Sequence, residues 1–239
     1  MINVLIADDN LDYATSLMNY INLKNESIRV CNIINDGNNV INFLNNYNNI
    51  DVVLLDYKMP SYNGKEILKR INNKIKYKKS FIIISGEFNE ARNLYDNEMV
   101  YTVMNKLIGI PTITSTINEL IIHKENENLE NNRKQKVLKE LLYLGYDISH
   151  KGTSYLIEVI NYIQNNPNKN LDNLNRDVYP IIARHHNVNV HNIKCYITRE
   201  TNEMYLKCNN KRLQNYFSYA EDTKPNVKTV IYTIINKIA

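Results

Sequence analysis

Short apolar runs recur through the first half of the chain, at Ile2–Ala7, Ile28–Ile33, Asp51–Leu55, Phe81–Ser85 and Val100–Met104. Each has the length of a strand, and apolar residues between them return every three or four positions. Leu11, Ala14, Leu17, Met18 and Ile21 form one helical stripe. Val40, Ile41, Phe43, Leu44 and Tyr47 form a second, and Ile67, Leu68, Ile71 and Ile75 a third. A further helix near Thr112–His123 gathers Ile113, Ile117, Leu120 and Ile121 on one face. The segment between Phe88 and Asn97 has the weakest helical pattern. Nearly continuous apolar strands that alternate with helices predict a parallel sheet covered on both faces, an α/β domain of five strands.

The pattern then changes. Lys124–Gln135 (KENENLENNRKQ) is charged and nearly free of apolar residues, and reads as a linker that can be helical. Beyond it no strand pattern recurs. Tyr155, Leu156, Val159, Ile160 and Ile163 make a helical stripe between Gly152 and Pro167. Another helix runs to about His186, one starts near His191, and Val227–Ile238 is amphipathic. The expected division is 1–122 as an α/β domain, 123–135 as linker and 136–239 as an all-α domain.

Composition alters this picture in three places. The 42 Asn among 239 residues are far above ordinary usage, and compositional drift accounts for most of them. Charge is divided: residues 1–122 hold 12 basic and 13 acidic side chains, whereas 123–239 hold 17 and 12. The second half, at +5, therefore suits an acidic partner such as nucleic acid. Three scattered cysteines, Cys31, Cys195 and Cys208, do not make a disulfide framework, and a reducing compartment fits them. No apolar run reaches the length of a membrane span, and Ile2–Ala7 ends in acids rather than following a basic segment. A cytoplasmic protein without a membrane partner is expected.

The candidate chemistry lies at strand ends, where parallel α/β sheets bind ligands. Asp8 and Asp9 follow the first strand and Asp56 ends the third. Three converging carboxylates repel one another unless a hard cation joins them, and Mg2+ is the natural candidate. Ser85 can offer a hydroxyl and Lys106 a cation. Together these groups suit phosphoryl transfer to a carboxylate. Helix capping is the plainer role for Asp9 alone.

Ile6–Asn10 (IADDN) and Val52–Gly64 (VVLLDYKMPSYNG) resemble the two signatures of bacterial response-regulator receiver domains, which have a flavodoxin-like fold. The resemblance covers about residues 1–122. It implies that Asp56 is the phosphoacceptor, that Asp8 and Asp9 hold magnesium, that Lys58 lends a backbone carbonyl to the metal and that Ser85 binds the phosphoryl group. Haloacid-dehalogenase-like phosphatases also use a strand-end Asp. Their Asp-x-Asp pattern after the first strand differs from the adjacent acids here. The receiver pattern also ends its fifth strand in Lys-Pro, where this chain reads YTVMNKL from Tyr101. One register puts Asn105 in the lysine slot. The other brings Lys106 there through a local irregularity, because a one-residue slip exchanges the faces of every side chain.

Tyr179–Thr198 has helix-turn-helix spacing: a small Ala183, Asn187 where a left-handed turn is needed, and Ile193 to pack back. The second helix should bury Ile193, Ile197 and Met204. It should expose His191, Asn192, Lys194, Cys195, Thr198 and Arg199 toward duplex DNA. A structural helical hairpin is the alternative on spacing alone. Leu144–Ile160, Val178–Asn187 and Thr223–Ile238 resemble, in order, the C-terminal effector domain of the sporulation master response regulators of endospore-forming Firmicutes. That family reads bases with an Arg, a Glu and a second Arg, which look by position like Asn192, Lys194 and Cys195. Zinc ligation by His185, His186, His191, Cys195 and Cys208 is disfavoured by their spacing.

The resulting expectation is a non-enzymatic transcription regulator of a two-component or phosphorelay system. A histidine kinase or phosphotransferase would phosphorylate Asp56, the chain would form a homodimer when phosphorylated, and the helical half would bind double-stranded DNA. The alternative is a degenerate regulator that acts by protein–protein contact. It would need neither phosphorylation nor specific DNA reading.

Overall fold

A computed structural model describes residues 1–72, 74–169, 171, 173–217 and 224–239. Thr223, the first residue of the tail segment singled out above, lies outside these. The chain forms two compact units, Met1–Glu125 and Asn126–Ala239.

The first unit alternates β1 (Ile2–Ala7), α1 (Leu11–Lys24), β2 (Ile28–Ile34), α2 (Gly37–Asn46), β3 (Val52–Asp56), α3 (Gly64–Arg70), β4 (Phe81–Ser85), α4 (Phe88–Ala91) and β5 (Val100–Asn105). The strands pair in parallel in the order β2-β1-β3-β4-β5, the flavodoxin-like arrangement. One sheet face meets Ala14, Leu17 and Ile21 of α1 and Ile113, Ile117 and Leu120 of α5 (Ile110–Leu144). The other meets Val40, Ile41 and Leu44 of α2, Ile67 and Leu68 of α3, and Ala91 of α4. The α/β class read from periodicity is the observed one.

Three residues assigned to apolar stripes fall outside the core, one of them Tyr47, which follows α2 as its C-cap and is 59% exposed. Leu11 begins α1 and is 50% exposed. Ile75 is 90% exposed because α3 stops at Arg70, after a start fixed by the Asn63–Glu66 capping box. Residues 123–135 lie within α5, and their Lys, Glu, Gln and Arg are good helix formers. The division into units falls within this helix.

The second unit is helical: the end of α5, then α6 (Lys151–Gln164), α7 (Leu174–Asp177), α8 (Tyr179–His185), α9 (Val190–Lys207), α10 (Asn210–Tyr216) and α11 (Val227–Ile238). Its core joins Leu141, Leu156, Ile160, Ile197 and Ile231. Many asparagines have local work. Asn10, Asn63, Asn173, Asn189, Asn209 and Asn226 each accept a backbone N–H at a helix start. Among the described residues no helix is long and apolar enough to cross a membrane.

Candidate functional site

Side chains alternate between faces along a strand. In β1, Val4 and Ile6 lie on the α1/α5 face, as do Val52 and Leu54 of β3. Continuing that alternation puts Asp8 and Asp56 on the same face. The pairing of Ala7 with Leu55 sets them side by side. Asp8 is 3% and Asp56 5% exposed, whereas Asp9 is open to solvent. Ligand oxygens of all three lie within 4.8 Å of one another.

Lys106 completes the cluster. Its Nζ stands 2.7 Å from Asp56 Oδ2 and 2.8 Å from Asp8 Oδ2. It reaches them because β5 carries a bulge: Phe81 pairs with Val100, but Ile82 pairs with Thr102. The extra residue, Tyr101, changes the parity of everything after it. Val100 and Val103 face the α2/α3 side, and Tyr101 and Met104 the other. Lys106, two beyond Met104, therefore falls on the aspartate face. Asn105 ends β5 opposite Ser85, and its side chain accepts the Leu107 N–H at 2.9 Å. Of the two registers left open by the sequence, the structure adopts the one that brings Lys106 to the aspartates.

Burial holds the Asp56 carboxyl above its ordinary range; the Lys106 hydrogen bond opposes this and the Asp8 charge adds to it. Burial also works to lower the pKa of Lys106, but its bonds to Asp56 and Asp8 outweigh that and raise it. The lysine is thus a fixed ammonium among three carboxylates, a set still short of positive charge. The all-oxygen donor set fits a hard divalent cation.

Two sequence candidates sit at the margin of this cluster. The Lys58 N–H donates to Asp56 Oδ1 at 3.3 Å, while its ammonium is held by Glu87 at 2.6 Å. Ser85 is buried at the end of β4, and its Oγ accepts the Glu87 N–H at 2.9 Å. One residue without a role in the sequence reading belongs to the site: the Tyr13 ring centroid lies 5.1 Å from Lys106 Nζ. No spacing in the sequence marked it, because Asp9 precedes the Asn10 cap and lies outside α1.

In the second unit α8 and α9 are joined through Asn187, whose φ is 51°. Val188 N–H closes the turn on Ala183 O at 3.0 Å. Ile193, Ile197 and Met204 are buried. His191, Asn192, Lys194, Cys195, Thr198 and Arg199 are all exposed on α9. Beside Lys194 and Thr198 opens a cavity of about 810 Å³, lined also by Arg176, Tyr179, Lys224 and Lys228. These cations from distant segments could not be grouped by spacing. Of the five residues weighed for zinc, His191 and Cys195 meet, with Nε2 3.2 Å from Sγ. His186 instead contacts Glu158 at 3.0 Å.

His150, Glu200 and Glu203 also lie close together. They are internally neutralised: His150 Nδ1 meets Glu200 at 2.9 Å, and Glu203 is held by Arg199 and Lys207. The hydrogen bond and charge of Glu200 raise the His150 pKa. A pKa raised on folding contributes stability below the unfolded value, about 6.5, and loses it as pH rises through the folded value. The thermal stability lost in His150→Asn should therefore be larger near pH ~6 than near pH ~8. Equal losses in melts at the two pH values would overturn this assignment.

Residues 4–118 match the family model of the response regulator receiver domain. Residues 137–238 match that of the sporulation initiation factor Spo0A C terminal. No curated protein matches the chain. Among solved structures, a CheY-like receiver domain protein from Methanospirillum hungatei JF-1 is 20% identical with a TM-score of 0.47, over 53% of this chain and 98% of its own. A receiver domain protein from Clostridium thermocellum is 24% identical at 0.45, over 52% and 98%. The Francisella response regulator 1452 receiver domain is 21% identical at 0.45, over 52% and 99%.

Proposed function

Since the chain belongs to the two-domain, Spo0A-like sporulation response regulators, with a receiver followed by a Spo0A-type C-terminal domain, we propose that it is a phosphorylation-controlled transcription regulator working in the cytoplasm. The observation that carries this reading is the Lys106 ammonium shared by Asp56 and Asp8 at the carboxyl ends of β3 and β1. A carboxylate oxygen of Asp56 attacks the phosphorus of a phosphohistidine on a histidine kinase or phosphotransferase. The P–N bond breaks, and the phosphoryl group is held on Asp56 as an acyl phosphate. The Lys106 ammonium neutralises the charge that gathers there. Asp8, Asp9, Asp56 and the backbone carbonyl of Lys58 would hold Mg2+, which supplies charge stabilisation to the phosphoryl oxygens. Ser85 becomes a phosphoryl ligand by donating its hydroxyl proton, which the bond it accepts from the Glu87 N–H does not use.

Phosphorylation favours a homodimer, and α9 then enters the major groove of duplex DNA with His191, Asn192, Lys194, Cys195, Thr198 and Arg199 outward. The cations around the cavity beside α9 suit the phosphate backbone. Asn192 can pair bidentately with adenine, and Lys194 or Arg199 with guanine. The test is a selection from random duplexes with the acyl-phosphate-treated full chain. An enriched motif is expected, and Lys194→Ala should cost about 1–3 kcal/mol on it and less on random DNA. Absence of enrichment would favour a regulator that acts through protein contacts.

A further inference from the structure

We infer that Tyr13 is a positioning residue which shields the phosphorylated Asp56 from water and so sets the lifetime of the acyl phosphate. The inference rests on the phosphoacceptor reading of Asp56. Tyr13 lies in the first turn of α1, fixed there by its own N–H, which donates to the Asn10 side chain at 3.0 Å. Its ring packs against the core that α1 shares with β1 and β3. The centroid is 5.1 Å from the Lys106 ammonium, within the range of a cation–π contact. That ammonium is the same one bonded to Asp56 and Asp8. The phenol oxygen at the far end of the ring is buried and has no hydrogen-bond partner among the described residues.

A tyrosine normally turns its hydroxyl to solvent or to a partner when it can. Here the tip is inside the protein, so the ring lies down over the lysine rather than standing out from the surface. An unpartnered buried hydroxyl is a local cost. The ring that carries it covers one side of the ammonium and keeps that charge aimed at Asp56.

Hydrolysis of the acyl phosphate needs a water oxygen to reach phosphorus opposite the Asp56 oxygen. The new P–O bond forms as the bond to Asp56 breaks. The electron pair returns to the carboxylate, and the water's protons stay with the released dihydrogen phosphate. A ring packed over Lys106 narrows the approach for that water and keeps the side of the acyl phosphate nearest the ammonium out of solvent.

The test uses the full-length chain, phosphorylated with a small acyl phosphate and magnesium and then freed of donor. Loss of the phosphoryl group is followed by intact mass. Tyr13→Ala should shorten the lifetime by about tenfold. Tyr13→Phe, which keeps the ring, should retain the slow decay and raise the thermal midpoint by removing the orphaned hydroxyl. Tyr13→Leu fills the space without a ring face and should decay at an intermediate rate, which covers the case in which the alanine variant folds poorly. A decay in Tyr13→Ala and Tyr13→Leu equal to wild type would overturn the inference. So would a decay in Tyr13→Phe as fast as in Tyr13→Ala. Wild-type protein that takes up no phosphoryl group would instead refute the phosphoacceptor reading, a distinct outcome seen before any decay is measured.

Discussion

Incubated with magnesium and a small acyl phosphate, the full-length chain is expected to gain one phosphoryl group, and Asp56→Ala to gain none. Asp56 is nearly buried, and burial holds its carboxyl above the ordinary range. In the free protein Lys106 and the hydrogen bond from the Lys58 N–H oppose that rise and keep the carboxyl aimed. Lys106→Ala should slow uptake by roughly 10²-fold, because it removes the ammonium that faces both Asp8 and Asp56. Asp9→Ala should raise the magnesium concentration needed, since it takes one of three clustered carboxylates. Intact mass reads all four proteins, and an unchanged wild-type mass would sink the assignment.

The second large effect is structural. A Cβ added at Gly152 would stand 2.3 Å from Glu200 Cγ and 2.5 Å from the Tyr196 carbonyl oxygen. Gly152 lies near the start of α6, and both contacts are on α9, so the glycine is what lets the two helices approach. Glu200 could swing aside only by leaving His150, and the Tyr196 carbonyl is backbone. Gly152→Ala should therefore cost about 1–3 kcal/mol, the range of an overpacked core. In thermal melts that is a fall of roughly 4 °C or more. Gly86→Ala is the control, since none of the described residues lies within 4 Å of its added Cβ. A midpoint for Gly152→Ala equal to that of the control would show that α6 and α9 can separate freely.

The sheet and its flanking helices were legible because burial on both faces writes uninterrupted apolar strands, and helices write a period near 3.6. Asp8, Asp9 and Asp56 were legible as a group because a parallel sheet brings the carboxyl ends of its strands together. The turn between α8 and α9 was legible from the side chains around it, and Asn187 takes the left-handed conformation expected of it. Other features depend on tertiary placement. Tyr13 becomes part of the site only when the start of α1 meets the end of β5, and nothing in its local spacing marks that. The cavity beside α9 gathers Arg176, Lys194 and Lys224 from three separate segments. Helix ends were also hard to read. α3 stops before Ile75 although the apolar spacing continues, and α5 runs through the polar linker, whose helicity the sequence left open.

Spacing left the register of the lysine open for a different reason, and that reason bears on how such chains are sorted. The bulge at Tyr101 acts like a suppressor of a frameshift: one surplus residue in an edge strand restores the phase of everything downstream. An alignment that counts positions without it scores Asn105 in the lysine column and files the protein among receivers that have lost their chemistry. Two chains can thus carry the same cluster of charges while differing by one in the interval that separates its members. An inventory drawn from column identity alone would count a chain of this kind as lacking the lysine that the bulge brings to Asp8 and Asp56. The parity of core residues along the last strand is the simple check that recovers it.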